Sequence, residues 1–175
     1  MCYTECVPSV ALLRSSVDSS DLHSNPPLRL LVAFQQAFPD CLPDWVMRAP
    51  GREMWIAATQ ARESEFTLVA ADLEGRVTFN LQSAKVKRSA TQRPLPRWAR
   101  YPAGVTLLLA QSGVDVIGLK MVVMGDEPPG VRYDYALGIA FAALWHDLHQ
   151  LPYTTDKLIE IVDRTRRDYV DESHA

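Results

Sequence analysis

The sequence predicts an α/β domain, built as a two-layer α+β sandwich of one sheet with helices packed on it. Residues 114–124 form a hydrophobic run that is typical of a strand buried on both faces. A turn with glycine and proline follows at 125–133, and residues 134–149 are apolar on almost every side of a helix. Such a helix lies inside a domain, so this strand, turn and helix indicate the centre of the fold.

The remaining elements follow from periodicity and from turn residues. Apolar residues at helical spacing predict helices over 28–38, 98–111 and 154–169. Val77, Phe79 and Leu81 alternate with polar residues, which predicts a strand over 76–81. The other strands are predicted at 45–48, 54–59 and 65–71, and the polar residues 85–97 are predicted to form a surface loop.

Length and charge limit the classes of function. The chain has 175 residues, enough for one domain with one core, and 18 basic against 21 acidic residues give a net charge of −3. Without an overall basic field, nucleic acid is not an expected partner. Two basic clusters are interpreted as solvated faces: Lys85, Lys87 and Arg88, and Arg164, Arg166 and Arg167. No apolar run approaches the ~20 residues of a membrane span, so we expect a cytoplasmic protein without membrane contact.

The first 26 residues predict a flexible leader before a domain over 27–175. They are rich in serine, aspartate and small residues and show no sustained periodicity. The three cysteines are Cys2, Cys6 and Cys41, and this odd number does not suggest a disulfide framework. His146 and His149 are three apart on a predicted helix without an obvious third ligand, so no metal site is predicted.

The turn after residue 124 is the most informative stretch for function. It contains Gly125, Asp126, Pro128 and Gly130 between a buried strand and a buried helix. The N-terminus of a helix attracts anions because its first N–H groups lack partners and the helix dipole points outward there. This pattern alone is weak evidence, since many α/β domains contain such a turn.

These four residues, in this spacing, resemble the phosphate loop of galactokinases in the GHMP sugar-kinase superfamily. Residues 49–52, Ala-Pro-Gly-Arg, are similar to the start of the first motif of that family. The resemblance covers residues 28–170. It implies the N-terminal GHMP kinase domain, of the ribosomal protein S5 domain 2-like fold, with the C-terminal half of the family absent. Further matches in the same order are Ala71-Asp72-Leu73, residues 77–81, Trp98-Ala99-Arg100-Tyr101 with Gly104-Val105, and residues 158–169.

Departures from the family pattern predict lost chemistry. Arg132 stands at a glycine of the phosphate loop and cannot cheaply adopt a glycine-only conformation. Asp134 is expected to cap the helix and to bring a negative charge into the anion site. Tyr133, Tyr135 and Ala136 replace the leucine and two of the serines, and the tyrosines are expected to add bulk where phosphate would lie.

The first motif departs as well. Ala58, Thr59 and Ala61 stand where the family has the glutamate, histidine and aspartate that hold sugar hydroxyls. Arg52 matches the arginine that assists phosphoryl transfer in the family, although a purely structural arginine is the alternative. The resemblance also places the catalytic aspartate beyond the last predicted helix, where this chain has no matching motif.

Two functions follow as hypotheses. The first is a galactokinase-like protein without catalysis, acting as a remnant or as a binding or regulatory module, for which no cofactor is expected. The second is a sugar kinase that uses ATP and Mg²⁺ and works only when a separate chain supplies the missing half. Without the other half, an apolar patch is expected at Leu158, Ile161, Val162 and Tyr169, with Trp55 and Trp145 nearby. Its expected cover is a second copy or another polypeptide, and the alternative is that the leader 1–26 folds back over it.

Overall fold

A five-stranded sheet organises the part of the chain that the computed structural model describes, residues 26–171. The strands lie in the order β1-β2-β5-β3-β4, and only β3 and β5 run parallel to each other. Their bounds are β1 Trp45–Arg48, β2 Met54–Gln60, β3 Phe66–Ala70, β4 Gly75–Phe79 and β5 Leu119–Gly125. The helices are α1 Leu28–Ala37, α2 Leu81–Lys85, α3 Arg97–Gln111, α4 Val131–Leu148 and α5 Thr155–Thr165.

The main core lies between one face of the sheet and helices α2–α5. Alternate residues of the central strands point into it, among them Ile56, Leu68 and Met121, all fully buried. Helix α4 runs through this layer, and every residue from Ala136 to His146 is buried. The prediction of a helix inside the domain is thus confirmed, and the mixed α/β fold class with it.

Helix α1 covers part of the opposite face of the sheet. Leu30, Phe34 and Phe38 pack there against Ala57 and Val122, which alternate with the residues of the main core. Because side chains of a strand point to opposite faces in turn, β2 and β5 contribute to both cores. This explains why the strand at β5 has an almost continuous apolar sequence.

Most element bounds lie within two residues of the predicted ones, but those of β5, α4 and α5 differ by more, and α2 was not predicted. Strand β5 begins at Leu119 rather than at residue 114, and helix α4 begins at Val131 rather than at residue 134. Helix α2 was not predicted, because Leu81 continued the alternation of the preceding strand; Asn80 caps the helix instead, its side chain accepting from the N–H of Ser83. Helix α5 ends at Thr165 and continues as a π-helical turn, Arg166–Val170.

The predicted uncovered patch on the last helix is wrong. Leu158, Ile161 and Val162 are buried in the main core, as is Trp145, because α5 packs against α3 and α4. Trp55 and Tyr169 are half-buried. No helix within residues 26–171 has both the length and the apolar character that crossing a membrane requires. The predicted leader lies outside the described residues, apart from Pro26.

Candidate functional site

The turn between β5 and α4 lies against the start of β2. The N–H of Asp126 donates to the carbonyl of Glu53 at 2.9 Å, which ties the turn to that strand. A side chain at Gly125 would come within 2.0 Å of the same carbonyl, so the close approach of the two backbones requires glycine here. The structure therefore brings the predicted phosphate-loop residues next to the segment that contains Arg52.

Three carboxylates at or beside this turn accept hydrogen bonds from other groups of the protein. Asp72, in the single 3-10 turn Ala71–Leu73 after β3, accepts the N–H of Gly125 at 2.7 Å through Oδ2. Glu127 is buried and accepts the N–H of Glu53 at 3.2 Å. Arg29, at the start of α1, donates to the exposed Asp126 at 2.7 Å. Acidic groups of the chain itself thus occupy positions that an incoming anion would approach.

Helix α4 begins immediately after Gly130. This glycine has a φ of 107° and ends the turn in a conformation that L side chains rarely adopt. Pro128 is exposed two residues before it. The exposed Arg132 lies in the first helical turn, with Nη2 3.8 Å from the buried Glu127 Oε2, so its charge faces an acid of the same turn.

The expectation that Asp134 caps α4 is wrong. Because the helix starts three residues earlier than predicted, Asp134 lies inside it, and its N–H donates to the carbonyl of Gly130 at 2.9 Å. Its carboxylate is buried, 3.4 Å from Nε of Arg97 at the start of α3. Burial raises the pKa of Asp134 above the ordinary 3.8, and the guanidinium of Arg97 opposes part of that rise.

The two tyrosines of this region pack into the protein. Tyr133 is buried in the main core, and burial strongly raises the pKa of its hydroxyl, which has no hydrogen-bond partner within residues 26–171. Tyr135 is half-buried and donates its hydroxyl to Asp163 of α5 at 3.2 Å. The expectation that both rings fill the space of a phosphate is therefore wrong for Tyr133, whose ring belongs to the core.

Arg52 lies in the connection between β1 and β2, half-buried beside α4. Its guanidinium carbon is 5.3 Å from the centre of the Tyr135 ring, a distance typical of a cation–π contact. Its carbonyl accepts from Nε of Arg48 at 3.0 Å. The structure gives Arg52 a packing role, and its proposed part in phosphoryl transfer stays a prediction.

The three predicted sugar-binding positions do not form a polar site. Ala58 is fully buried in the main core, and Thr59 donates its hydroxyl to Asp44 at 2.6 Å. Ala61 follows the end of β2, where its N–H donates to the carbonyl of Gly118. Neither alanine offers a side-chain hydrogen bond, and the loss of sugar contacts at these positions stays a prediction.

His146 and His149, which lie three residues apart in α4 and at its end, contact neighbouring groups of the same helix. Nδ1 of His146 donates to the carbonyl of Ala142 at 2.7 Å, and the ring of His149 stacks on Trp145. No group of three or more metal-ligating residues occurs within residues 26–171.

Sequence reasoning missed Asp72, Glu53 and Arg97 as neighbours of the turn. Asp72 appeared only as part of a similar strand segment, and no local pattern marked Glu53 or Arg97. All three reach the site through the order of the strands and the packing of α3.

Two solved structures with a similar fold are kinases of small metabolites. The galactokinase of Lactococcus lactis, crystallised with galactose, aligns with 84% of this chain at a TM-score of 0.64 and 15% identity. The mevalonate kinase of Methanococcus jannaschii aligns with 65% of the chain at a TM-score of 0.50 and 12% identity. The chain has a GHMP-kinase-like fold. At this level of identity, the likeness shows the fold and leaves the activity to experiment.

The chain spans only part of each of these kinases. It covers 43% of the length of the galactokinase and 36% of that of the mevalonate kinase. No family model matches the sequence, and no curated protein matches it significantly.

Proposed function

We propose that this chain is a galactokinase-like domain that does not transfer phosphate and acts as a binding or regulatory module. The observation that carries the proposal is the hydrogen bond from the N–H of Gly125 to the carboxylate of Asp72, at 2.7 Å. In a phosphate loop, the backbone N–H groups of the turn and of the helix start face the ligand. Here the N–H of Gly125, where β5 ends and the turn begins, already faces a negative charge.

Electrostatics at the turn also oppose a polyphosphate. Asp72, Asp126 and Glu127 place three carboxylates around one short turn. Two like unit charges 4 Å apart repel each other by about 4 kcal/mol at an effective dielectric constant of 20. Arg29 and Arg132 offset part of this charge, but each already faces one of the carboxylates. We therefore expect weak or absent binding of Mg-ATP, and no cofactor.

Calorimetry with Mg-ATP tests the proposal. We expect no saturable binding below about 1 mM for the wild type, whereas a dissociation constant in the micromolar range would contradict it. The variant Asp72→Asn removes the charge that faces Gly125, and the matched control Asp126→Asn removes a carboxylate that accepts from Arg29 rather than from the turn backbone. If the carboxylate of Asp72 opposes the anion, Asp72→Asn binds Mg-ATP more tightly than Asp126→Asn does.

The alternative is an ATP- and Mg²⁺-dependent sugar kinase that needs a separate chain. Arg52 supports this alternative, since it lies in the segment next to the turn and matches the arginine to which the sequence resemblance assigns a part in phosphoryl transfer. A coupled assay with galactose and Mg-ATP, run on this chain isolated together with any polypeptide that binds it, separates the two. Robust turnover would establish the kinase and contradict the non-catalytic proposal.

A partner, either a second copy or another polypeptide, is part of the proposed binding role. The inner face of α5 is not the surface for it, because α3 and α4 cover that face. Sedimentation of the full chain would give its oligomeric state, and a monodisperse monomer would exclude the homodimer.

A further inference from the structure

Positive charge is concentrated in one part of this otherwise acidic chain. Residues 75–114 contain no aspartate or glutamate, although the whole chain has a net charge of −3. This segment includes β4, α2 and α3. Its seven basic residues are Arg76, Lys85, Lys87, Arg88, Arg93, Arg97 and Arg100.

A cavity of about 340 Å³ opens within this segment, between strand β4 and the loop 89–96. We call it the β4 cavity. Its polar lining consists of two arginines and three hydroxyl residues, and no carboxylate residue contributes to it. These five residues are Arg76, Thr78, Ser89, Thr91 and Arg93.

The loop that forms one wall is fixed by its own hydrogen bonds. The N–H of Ser89 donates to the carbonyl of Arg93 at 2.8 Å, and the N–H of Gln92 donates back to the carbonyl of Ser89 at 2.9 Å. Ala90 donates to the carbonyl of Thr78 at 2.7 Å, which attaches the loop to β4. Arg93 is therefore held on a backbone that needs no ordering when a ligand binds.

The hydroxyl groups leave donors available to a ligand. Ser89 Oγ accepts from the N–H of Arg93 at 3.2 Å and lies 3.0 Å from Thr91 Oγ1. Whichever of these two hydroxyls donates to the other, one hydroxyl proton of the pair stays free. Thr78 has the same relation to Thr67, at 3.1 Å. Since the carbonyl of Thr78 faces the loop, its N–H points to that side of β4 as well.

We propose that the β4 cavity binds a phosphate group, either as free phosphate or as the phosphate of a small monoester. The guanidinium of Arg93 supplies charge and planar paired donors, which suit the oxygens of a phosphate dianion. The guanidinium of Arg76 lies 5.5 Å from the centre of the Phe38 ring and adds its positive charge to the region. Hydroxyl and backbone donors add neutral hydrogen bonds. The volume fits a small molecule, and the site shares no residue with the turn at Gly125–Gly130.

Titration of the ¹⁵N-labelled full chain, followed by NMR, tests this proposal. The probes are inorganic phosphate, glycerol 3-phosphate and, for comparison, a single-stranded oligonucleotide. We expect saturable shifts of the backbone signals of Thr78, Ser89 and Thr91 with one or both phosphate probes. A larger affinity for glycerol 3-phosphate would identify a monoester as the ligand, and equal affinities would identify free phosphate.

Three variants locate the site. Arg93→Ala removes an exposed arginine from the cavity and is expected to weaken phosphate binding about tenfold, as the loss of a hydrogen bond to a charged group does. Arg76→Ala is expected to weaken it less, because the guanidinium of Arg76 lies over the ring of Phe38. Thr91→Val keeps the shape and removes a hydroxyl, with a smaller loss expected. Lys85→Ala is the matched control, because it removes an exposed charge of the same segment outside the cavity and should change affinity less than about twofold.

Three results would overturn the proposal. The first is the absence of saturable shifts with both phosphate probes. The second is an equal loss of affinity in Lys85→Ala and Arg93→Ala, which would show attraction by the general field alone. The third is much tighter binding of the oligonucleotide with equal dependence on Lys85 and Arg93, which would identify a surface for polyanions.

Discussion

The guanidinium of Arg52 lies 5.3 Å from the centre of the Tyr135 ring, and the hydroxyl of the same tyrosine donates to Asp163. One aromatic residue of α4 thereby connects the β1–β2 loop to α5. This is the arginine for which the sequence analysis predicted a part in phosphoryl transfer. The contact gives that arginine a structural role that can be measured separately from any activity.

The contact between Arg52 and Tyr135 should contribute about 0.5–1 kcal/mol to the free energy of unfolding, as cation–π pairs near a surface do. A double-mutant cycle of Arg52→Ala and Tyr135→Leu, followed by urea denaturation, should return a coupling energy of that size. The control Tyr135→Phe keeps the ring and removes only the hydroxyl, so it should retain most of the coupling to Arg52. Additive effects of Arg52→Ala and Tyr135→Leu would show that the contact adds no stability.

Restoring a sugar-binding glutamate at residue 58 should unfold the domain rather than create a site. Ala58 is fully buried in the main core, where a new carboxylate would lack a partner. We expect Ala58→Glu to lower the free energy of unfolding by about 3 kcal/mol or more. The control Gln60→Glu, at an exposed position of the same strand, should change it by less than about 0.5 kcal/mol.

If urea denaturation shows that Ala58→Glu is as stable as the wild type, residue 58 does not point into the main core, and the described register of β2 is wrong. The same measurement decides whether sugar binding can be restored by substitution at this position. If Ala58→Glu unfolds, a triple variant with Thr59→His and Ala61→Asp cannot test for lost sugar binding.

Local features of the fold could be predicted from the sequence, whereas contacts around the site could not. The apolar character of α4 on all sides predicted its position inside the domain, and the alternation at Val77 and Phe79 predicted β4. By contrast, Asp72 meets Gly125 only because β5 lies between β2 and β3. A sheet order of this kind depends on packing between distant segments, and a pattern of neighbouring residues does not contain it.

The start of α4 shows the same limit at closer range. The proline and glycine residues at 128–130 indicated a turn, but Val131, Arg132 and Tyr133 could belong to either the turn or the helix. A difference of three residues moved Asp134 from a capping position into the core. The predicted exposed capping carboxylate is therefore a buried carboxylate beside Arg97 in the structure.

Substitutions at two buried glycines should show, through their effect on stability, how tightly α3 and α4 pack against the C-terminal part of the chain. A side chain at Gly104 would approach Thr165 Cγ2 to 2.5 Å and Tyr169 Cδ1 to 2.7 Å. At Gly138 the closest atoms, Val162 Cγ1 and Tyr101 Cδ1, would lie 3.0 and 3.1 Å away. Overpacking costs about 1–3 kcal/mol, more than the roughly 1 kcal/mol that alanine gains over glycine in a helix.

We therefore expect Gly104→Ala to destabilise the domain more than Gly138→Ala does. Thermal and urea denaturation of the two variants measure the difference. Because both substitutions add the same methyl group to a buried helix position, helix propensity cancels in the comparison. Equal stabilisation by both would contradict the packing of the π-helical turn Arg166–Val170 against α3.

Asp134 should make the domain less stable as the pH rises. Burial raises the pKa of its carboxyl in the folded state above the ordinary 3.8 expected for the unfolded chain. The folded state thus holds the proton more tightly, so its favourable contribution is complete below pH 3.8. That contribution is lost as the pH rises through the raised pKa of the folded state.

The variant Asp134→Asn stays neutral at every pH and separates this contribution from those of other groups. Relative to the wild type, we expect it to gain stability as the pH rises from about 3.8 to 7, as measured by urea denaturation across that range. Arg97→Ala should increase the pH dependence of the wild-type carboxylate, because the guanidinium lowers the pKa of Asp134. If Asp134→Asn instead loses stability relative to the wild type as the pH rises, the pKa of Asp134 is lowered in the folded state, and its ion pair with Arg97 outweighs burial.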